Sequence, residues 1–136
     1  MARNNKTSQW SLSILRIVLG AIFIFHGYGK LFMAGGFKGT VGFFDSIGIP
    51  APEYSALLVG AVEFFGGILL LMGLLTKWTS AALIINMLVA LFKVHLPKGF
   101  GASEFVLLII SGLVVILFSG SGRLAVGRML KKKHLQ

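Results

Sequence analysis

The sequence predicts an all-α integral membrane protein, a four-helix bundle with an interfacial segment between helices 1 and 2. Two observations carry that prediction. Hydrophobic residues make up 56% of the 136 and charged residues only 12%, with a mean hydropathy of +0.89, which is too apolar and too charge-poor for an ordinary soluble domain. Four stretches also reach the roughly 17–25 residues that one bilayer crossing requires: Leu12–Met33, Tyr54–Leu75, Trp78–Leu96, and Glu104–Phe118 running on to Ser121. Little chain remains between them, so residues 1–136 read as one membrane domain, acting alone or as an oligomer.

The first crossing follows a basic start, as a secretory signal peptide would. Arg16 interrupts its apolar run and no small-x-small cleavage site follows, so it reads as a mature helix. Gly20, Phe23, Gly27 and Lys30 share one helical stripe, with His26 one turn below Lys30. In the following segment Phe37, Val41 and Phe44 fall at helical spacing with Lys38 and Asp45 elsewhere, the pattern of a short amphipathic piece lying on the outer membrane surface over Phe37–Ile49. Pro50 and Pro52 break the chain, Pro52 standing where a first helical turn tolerates proline. The second crossing carries Ala56, Gly60, Glu63 and Gly67 on one stripe, small residues that let helix backbones approach in lipid. After a Leu75–Trp78 turn, the third carries Ala82, Asn86, Ala90 and Lys93. A Pro97–Ser103 loop leads to the fourth, which opens at Glu104 and stops at Gly120-Ser121-Gly122.

The net charge is +9, yet seven of the 13 basic residues lie in the two tails: Arg3, Lys6, Arg123, Arg128 and Lys131 to Lys133. Membrane topology accounts for them better than nucleic acid does, because lysine and arginine beside membrane segments mark the cytoplasmic side. Four crossings then put both termini in the cytoplasm of a cell-membrane protein, with the Ala34–Glu53 and Pro97–Ser103 loops facing outward. Lys131 to Lys133 are placed to touch anionic lipid. Cysteine is absent, so the chain itself supplies neither a thiolate nucleophile nor a disulfide relay nor the ligands of an iron–sulfur cluster.

Ionisable groups inside oily segments are expensive and usually functional. Counting about 1.5 Å per residue puts His26 and Lys30 in the outer half of the first helix, Glu63 and Asn86 near mid-depth, and Lys93, His95 and Glu104 toward the outer surface. These positions predict one polar pocket of His26, Lys30, Glu63, Asn86, Lys93 and Glu104, roofed by Phe37–Ile49, with Arg16 apart near the cytoplasmic end. A plainer reading stands beside it. Glu63 with Lys30 or Lys93 can be a buried ion pair that only fixes helix register, Lys30, Lys93 and His95 can snorkel toward headgroups, and Glu104 can be a helix-start acid after Ser103.

A quinone or small aromatic redox molecule suits such a pocket: its ring and tail favour apolar walls, its carbonyl oxygens take hydrogen bonds, and its reduction consumes protons. Quinone is therefore the expected ligand. Haem between His26 and His95 is the weaker alternative, since His95 lies shallow, the two show no paired register, and His134 falls in the tail. No metal-ligand spacing and no phosphate-cradling loop is present.

Several spaced motifs resemble the DoxX family of small bacterial four-helix membrane proteins: Arg16-Ile17, His26-Gly27-Tyr28-Gly29-Lys30, Phe44 through Pro52, Glu63-Phe64-Phe65-Gly66-Gly67, and Glu104 with Gly120–Arg123. The resemblance covers nearly the whole chain. It implies a cytoplasmic-membrane protein named for oxidoreductase chemistry, with relatives linked to thiol, quinone and catechol stress, and it points to Arg16, His26, Lys30, Glu63 and Glu104. Ala125 and Gly127 stand where the family often has a serine and an aspartate.

Three readings of function follow. The first is a membrane oxidoreductase, or a subunit of a redox complex, acting on quinone-like or catechol-derived molecules and protecting against oxidative or electrophile stress. The second is a non-enzymatic carrier or efflux element for small aromatics. The third is an assembly partner whose buried charges serve packing.

Overall fold

The computed structural model describes residues 2–133, with side chains from Asn5 onward; the side chain of Arg3 and all of His134 lie outside the described residues. The helices are α1 (Ala2–Leu31), α2 (Gly36–Ser46), α3 (Pro52–Met72), α4 (Thr76–Ala90), α5 (Phe100–Ser119) and α6 (Val126–Lys133). A π-helical turn, Leu91–His95, and a 3-10 turn, Leu96–Lys98, extend α4. Asn5–Leu31, Pro52–Met72, Thr76–Lys98 and Phe100–Ser119 are each long and apolar enough to cross a membrane. This is the expected four-helix membrane bundle, with α2 as the segment between the first two crossings.

Boundaries shift by a few residues for visible reasons. Pro52 opens α3 at its first turn, where a missing N–H costs nothing. Gly73, at φ 72°, closes α3: its N–H bonds Leu70 O and the Leu74 N–H bonds Leu69 O, the Schellman arrangement that satisfies carbonyls at a helix end. The expected Leu75–Trp78 turn is therefore Gly73–Leu75, and α4 has already begun at Thr76. The expected Pro97–Ser103 loop is corrected more fully. Pro97 sits in the 3-10 turn, Gly99 alone separates that turn from α5, and α5 begins four residues before Glu104. Gly120, at φ 89°, ends α5, as the Gly120-Ser121-Gly122 stop predicts.

The core lies between α1, α3, α4 and α5, formed by Leu19, Phe23, Leu70, Leu83, Met87, Leu91, Val106, Ile109, Leu113 and Ile116. Large apolar side chains also cover the outside, among them Phe25, Phe65, Ile85, Leu108 and Phe118. With apolar surfaces on both sides, the hydrophobic effect does not choose which helix faces meet; close packing of small residues does. A Cβ placed on Gly20 would stand 2.7 Å from Leu71 N, and one on Gly67 would stand 2.6 Å from Ile24 N. α1 and α3 thus touch backbone to backbone, and this contact fixes their relative height and rotation.

The start of α1, the Gly73–Leu75 turn and the segment after α5 share one end of the bundle. That end carries Lys6, Lys77, Arg123, Arg128 and Lys131 to Lys133 and is called the basic end below. α2 and the π turn mark the opposite end.

Candidate functional site

Toward the α2 end, the helices enclose a cavity of 960 Å³. Its chemistry begins at Glu63, which the α1–α3 contact turns inward; the residue is 3% exposed. Lys30 Nζ donates to Glu63 Oε2 across 2.6 Å, and Asn86 Nδ2 donates to Oε1 at 3.0 Å. One carboxylate therefore joins three helices, each oxygen taking a donor from a different neighbour. Lys30–Glu63 is the single ion pair among the described residues.

His26, Lys93 and His95 also line the cavity. His26 lies one turn before Lys30 on α1 and is exposed at the cavity wall. Lys93 and His95 sit on the π turn. A π turn inserts one extra residue per loop of helix, which re-aims the side chains it carries, and such turns recur at functional sites. His95 Nδ1 contacts Ala102 O at 2.9 Å, which ties the turn to the start of α5. Phe23, Val62 and Ile109 contribute apolar wall, and Thr40, Phe43 and Phe44 on α2 form the roof. Lys98 Nζ stands 5.9 Å from the centre of the Phe43 ring, a cation–π contact joining the α4–α5 connection to that roof.

Five of the six expected pocket residues thus meet at one cavity: His26, Lys30, Glu63, Asn86 and Lys93. Glu104 does not. It is exposed and outside the lining, because the buried stripe of α5 runs through Ser103, Val106, Ile109, Leu113 and Ile116, and Glu104 falls about 100° away from Ser103 around the helix. It is not in the first turn of α5 either, so the helix-start reading also fails. Of the alternatives open for Glu63, the partner is Lys30 and not Lys93. The sequence underrated His95, whose place at the wall depends on a π turn that residue spacing does not announce, and it did not assign the α2 aromatics a lining role beyond a general roof.

Arg16 lies apart, as expected, and is wholly buried. Its Nε donates to Ser121 O at 2.8 Å and its Nη1 to Leu70 O at 2.6 Å; Nη1 also bonds Leu71 O, and Nη2 bonds Leu124 O. The guanidinium therefore satisfies carbonyls at the end of α3 and in the segment after α5, a position where the helix dipole favours a cation. Ser13 completes the junction, accepting from Leu124 N at 3.1 Å while donating to Gln9 O at 2.9 Å.

The chain is similar over most of its length to bacterial membrane proteins. It is 33% identical over 122 residues to the "Putative oxidoreductase CatD" of Bacillus subtilis, covering 89% of this chain and 87% of that protein. It is 35% identical over 137 residues to the "Uncharacterized membrane protein Rv3486" of Mycobacterium tuberculosis, covering 90% and 83%, and 30% identical over 132 residues to the "Inner membrane protein YqjF" of Escherichia coli, covering 94% and 98%. No solved structure matches it. The DoxX family model matches residues 11–96, which run from within α1 to just past the π turn and so include Arg16, His26, Lys30, Glu63, Asn86 and Lys93. The chain belongs to the DoxX family of membrane proteins.

Proposed function

We propose that this protein is a membrane oxidoreductase, or the quinone-handling subunit of a redox complex, acting on quinone-like or catechol-derived molecules. The supporting observation is the Lys30–Glu63–Asn86 cluster in the wall of an apolar cavity. Reduction of a quinone to a quinol takes two electrons and two protons. The electrons come from a reduced partner protein. Lys30 and Asn86 offer N–H donors to a carbonyl oxygen, Glu63 holds and delivers a proton, and His26 at the wall exchanges protons with water. The oxidoreductase name of the Bacillus subtilis relative agrees with this reading. We read the basic end as cytoplasmic on its excess of lysine and arginine, which puts the cavity in the outward half of the membrane and suits a role against oxidative or electrophile stress.

The test is binding and turnover of decylubiquinone by the purified protein in nanodiscs, compared with Glu63→Gln. Saturable binding that weakens at least about tenfold in the variant, together with donor-dependent quinone reduction lost in it, is the expected result. Catechol flux across proteoliposomes without redox change would replace this reading by a carrier. Equal binding by both proteins would remove the cavity from the function.

A further inference from the structure

The basic end holds a second, separate hollow. Lys6 and Gln9 on α1, Arg123 in the segment after α5, and Arg128, Met129 and Lys132 on α6 surround a 680 Å³ pocket. Four of these side chains are cations, Lys6 from the start of the chain and Arg123, Arg128 and Lys132 from its last fourteen residues. None pairs with an acidic side chain among the described residues: the chain has four Asp and Glu residues, of which Asp45, Glu53 and Glu104 lie toward the α2 end and Glu63 is committed to Lys30. Four cations brought together with no acidic side chain among the described residues beside them repel one another, so the hollow suits an anion from outside.

Its level in the membrane identifies the anion. Arg123 lies four residues beyond the end of α5, just where the chain leaves the apolar span. Its guanidinium stacks 5.7 Å from the centre of the Trp10 ring. Trp10 and Trp78, the two tryptophans of the chain, both sit at this end and are exposed, and exposed tryptophans of membrane helices settle at the headgroup level. Met129 and Leu130 on α6 are exposed beside the cations, giving acyl chains an apolar neighbour. Gln9 Oε1 is buried with no hydrogen-bond donor among the described residues, an acceptor that a headgroup hydroxyl can satisfy.

We propose that this pocket binds the phosphate of an anionic glycerophospholipid headgroup, with Arg123, Arg128, Lys6 and Lys132 on the phosphate oxygens. The site is independent of the cavity at the α2 end. It would also dock α6 against the start of α1, turning a polybasic tail into a structural element that requires acidic lipid.

Native mass spectrometry of the detergent-purified full chain tests this with three probes: phosphatidylglycerol, phosphatidylcholine and inorganic phosphate. The expected result is selective retention of one phosphatidylglycerol. Retention should be at least about tenfold weaker in Arg123→Gln/Arg128→Gln and in Arg128→Gln/Lys132→Gln, since each removes two of the four basic residues facing the anionic headgroup. It should be unchanged in Lys77→Gln, whose charge lies at the same end but outside the pocket. The second double variant changes only exposed α6 side chains, so it guards against loss of fold. Equal retention of phosphatidylcholine, an undiminished affinity in both double variants, or displacement of the lipid by millimolar inorganic phosphate would each overturn the proposal.

Discussion

Lys30 and Glu63 meet at 2.6 Å across the α1–α3 interface, yet they are unequally buried: the lysine side chain is 25% exposed and the glutamate side chain 4%. Both residues line the cavity, but the carboxylate is nearly enclosed while the ammonium stands more open. A pair serving only helix register has no need to line a 960 Å³ space. The asymmetry leaves Lys30 able to turn from Glu63 to a ligand oxygen while Asn86 keeps its hold on the other carboxylate oxygen.

Deleting one partner should therefore cost more stability than deleting both. Lys30→Met leaves Glu63 buried with Asn86 alone and should cost about 1–3 kcal/mol, read as a lowered thermal midpoint in detergent. Lys30→Met/Glu63→Leu should recover most of that loss, because an apolar pair suits the same space. Decylubiquinone binding should be lost in both. A double variant that is stable and still binds would assign the pair to packing.

The four crossings were legible because each is a long apolar run, and the convergence of Lys30, Glu63, Asn86 and Lys93 was legible because a three-to-four-residue spacing puts each on a small-residue stripe. Glu104 was misplaced for the complementary reason. Nearly every residue of α5 after it is apolar, so no contrast between faces revealed that Ser103 and Val106, and not Glu104, point inward. The partners of Arg16 were hidden too. Backbone carbonyls at the end of α3 and in the segment after α5 carry no sequence signal, and they become acceptors only once the chain folds back on α1. The helical form of α6 was likewise unread, since Lys131 to Lys133 register as charge before they register as one face of a helix.

Glycines of this chain should divide sharply by position. Gly67→Ala places a methyl against the Ile24 backbone and Gly20→Ala places one against Leu71; each should destabilise by about 1–3 kcal/mol by forcing α1 and α3 apart. Gly39→Ala and Gly42→Ala in α2 meet nothing within 4 Å and should be neutral or stabilising by up to about 1 kcal/mol, from the entropy a helical glycine gives up. Thermal midpoints of the four variants in one detergent decide the point.

Arg16→Lys should show that charge alone is insufficient. A lysine ammonium cannot reach Ser121, Leu70, Leu71 and Leu124 carbonyls together, as the planar guanidinium does. A loss on the order of 3 kcal/mol is expected, with faster hydrogen exchange at the Leu124 amide, which Ser13 Oγ holds in the same junction. Quinone binding by the folded fraction should be unaffected, because Arg16 does not line the cavity. Unchanged exchange at Leu124 would mean that the junction holds without the guanidinium.

Lys93 separates ligand binding from stability most cleanly. It lines the cavity, is exposed, and has no acidic partner among the described residues, so Lys93→Met breaks no ion pair there. The thermal midpoint should stay within the equivalent of about 0.5 kcal/mol, as for other exposed positions. If the cavity receives the oxygen-bearing ring of a quinone or catechol, the same substitution removes a charge-assisted donor from the wall, and affinity should fall about tenfold. The loss should be larger for catechol presented above its first ionisation than below it, because an ammonium attracts the catecholate more strongly than the neutral diol. Calorimetric titration of decylubiquinone and catechol into wild type and Lys93→Met measures both effects, and an affinity that ignores the substitution for both ligands would place Lys93 outside the binding site.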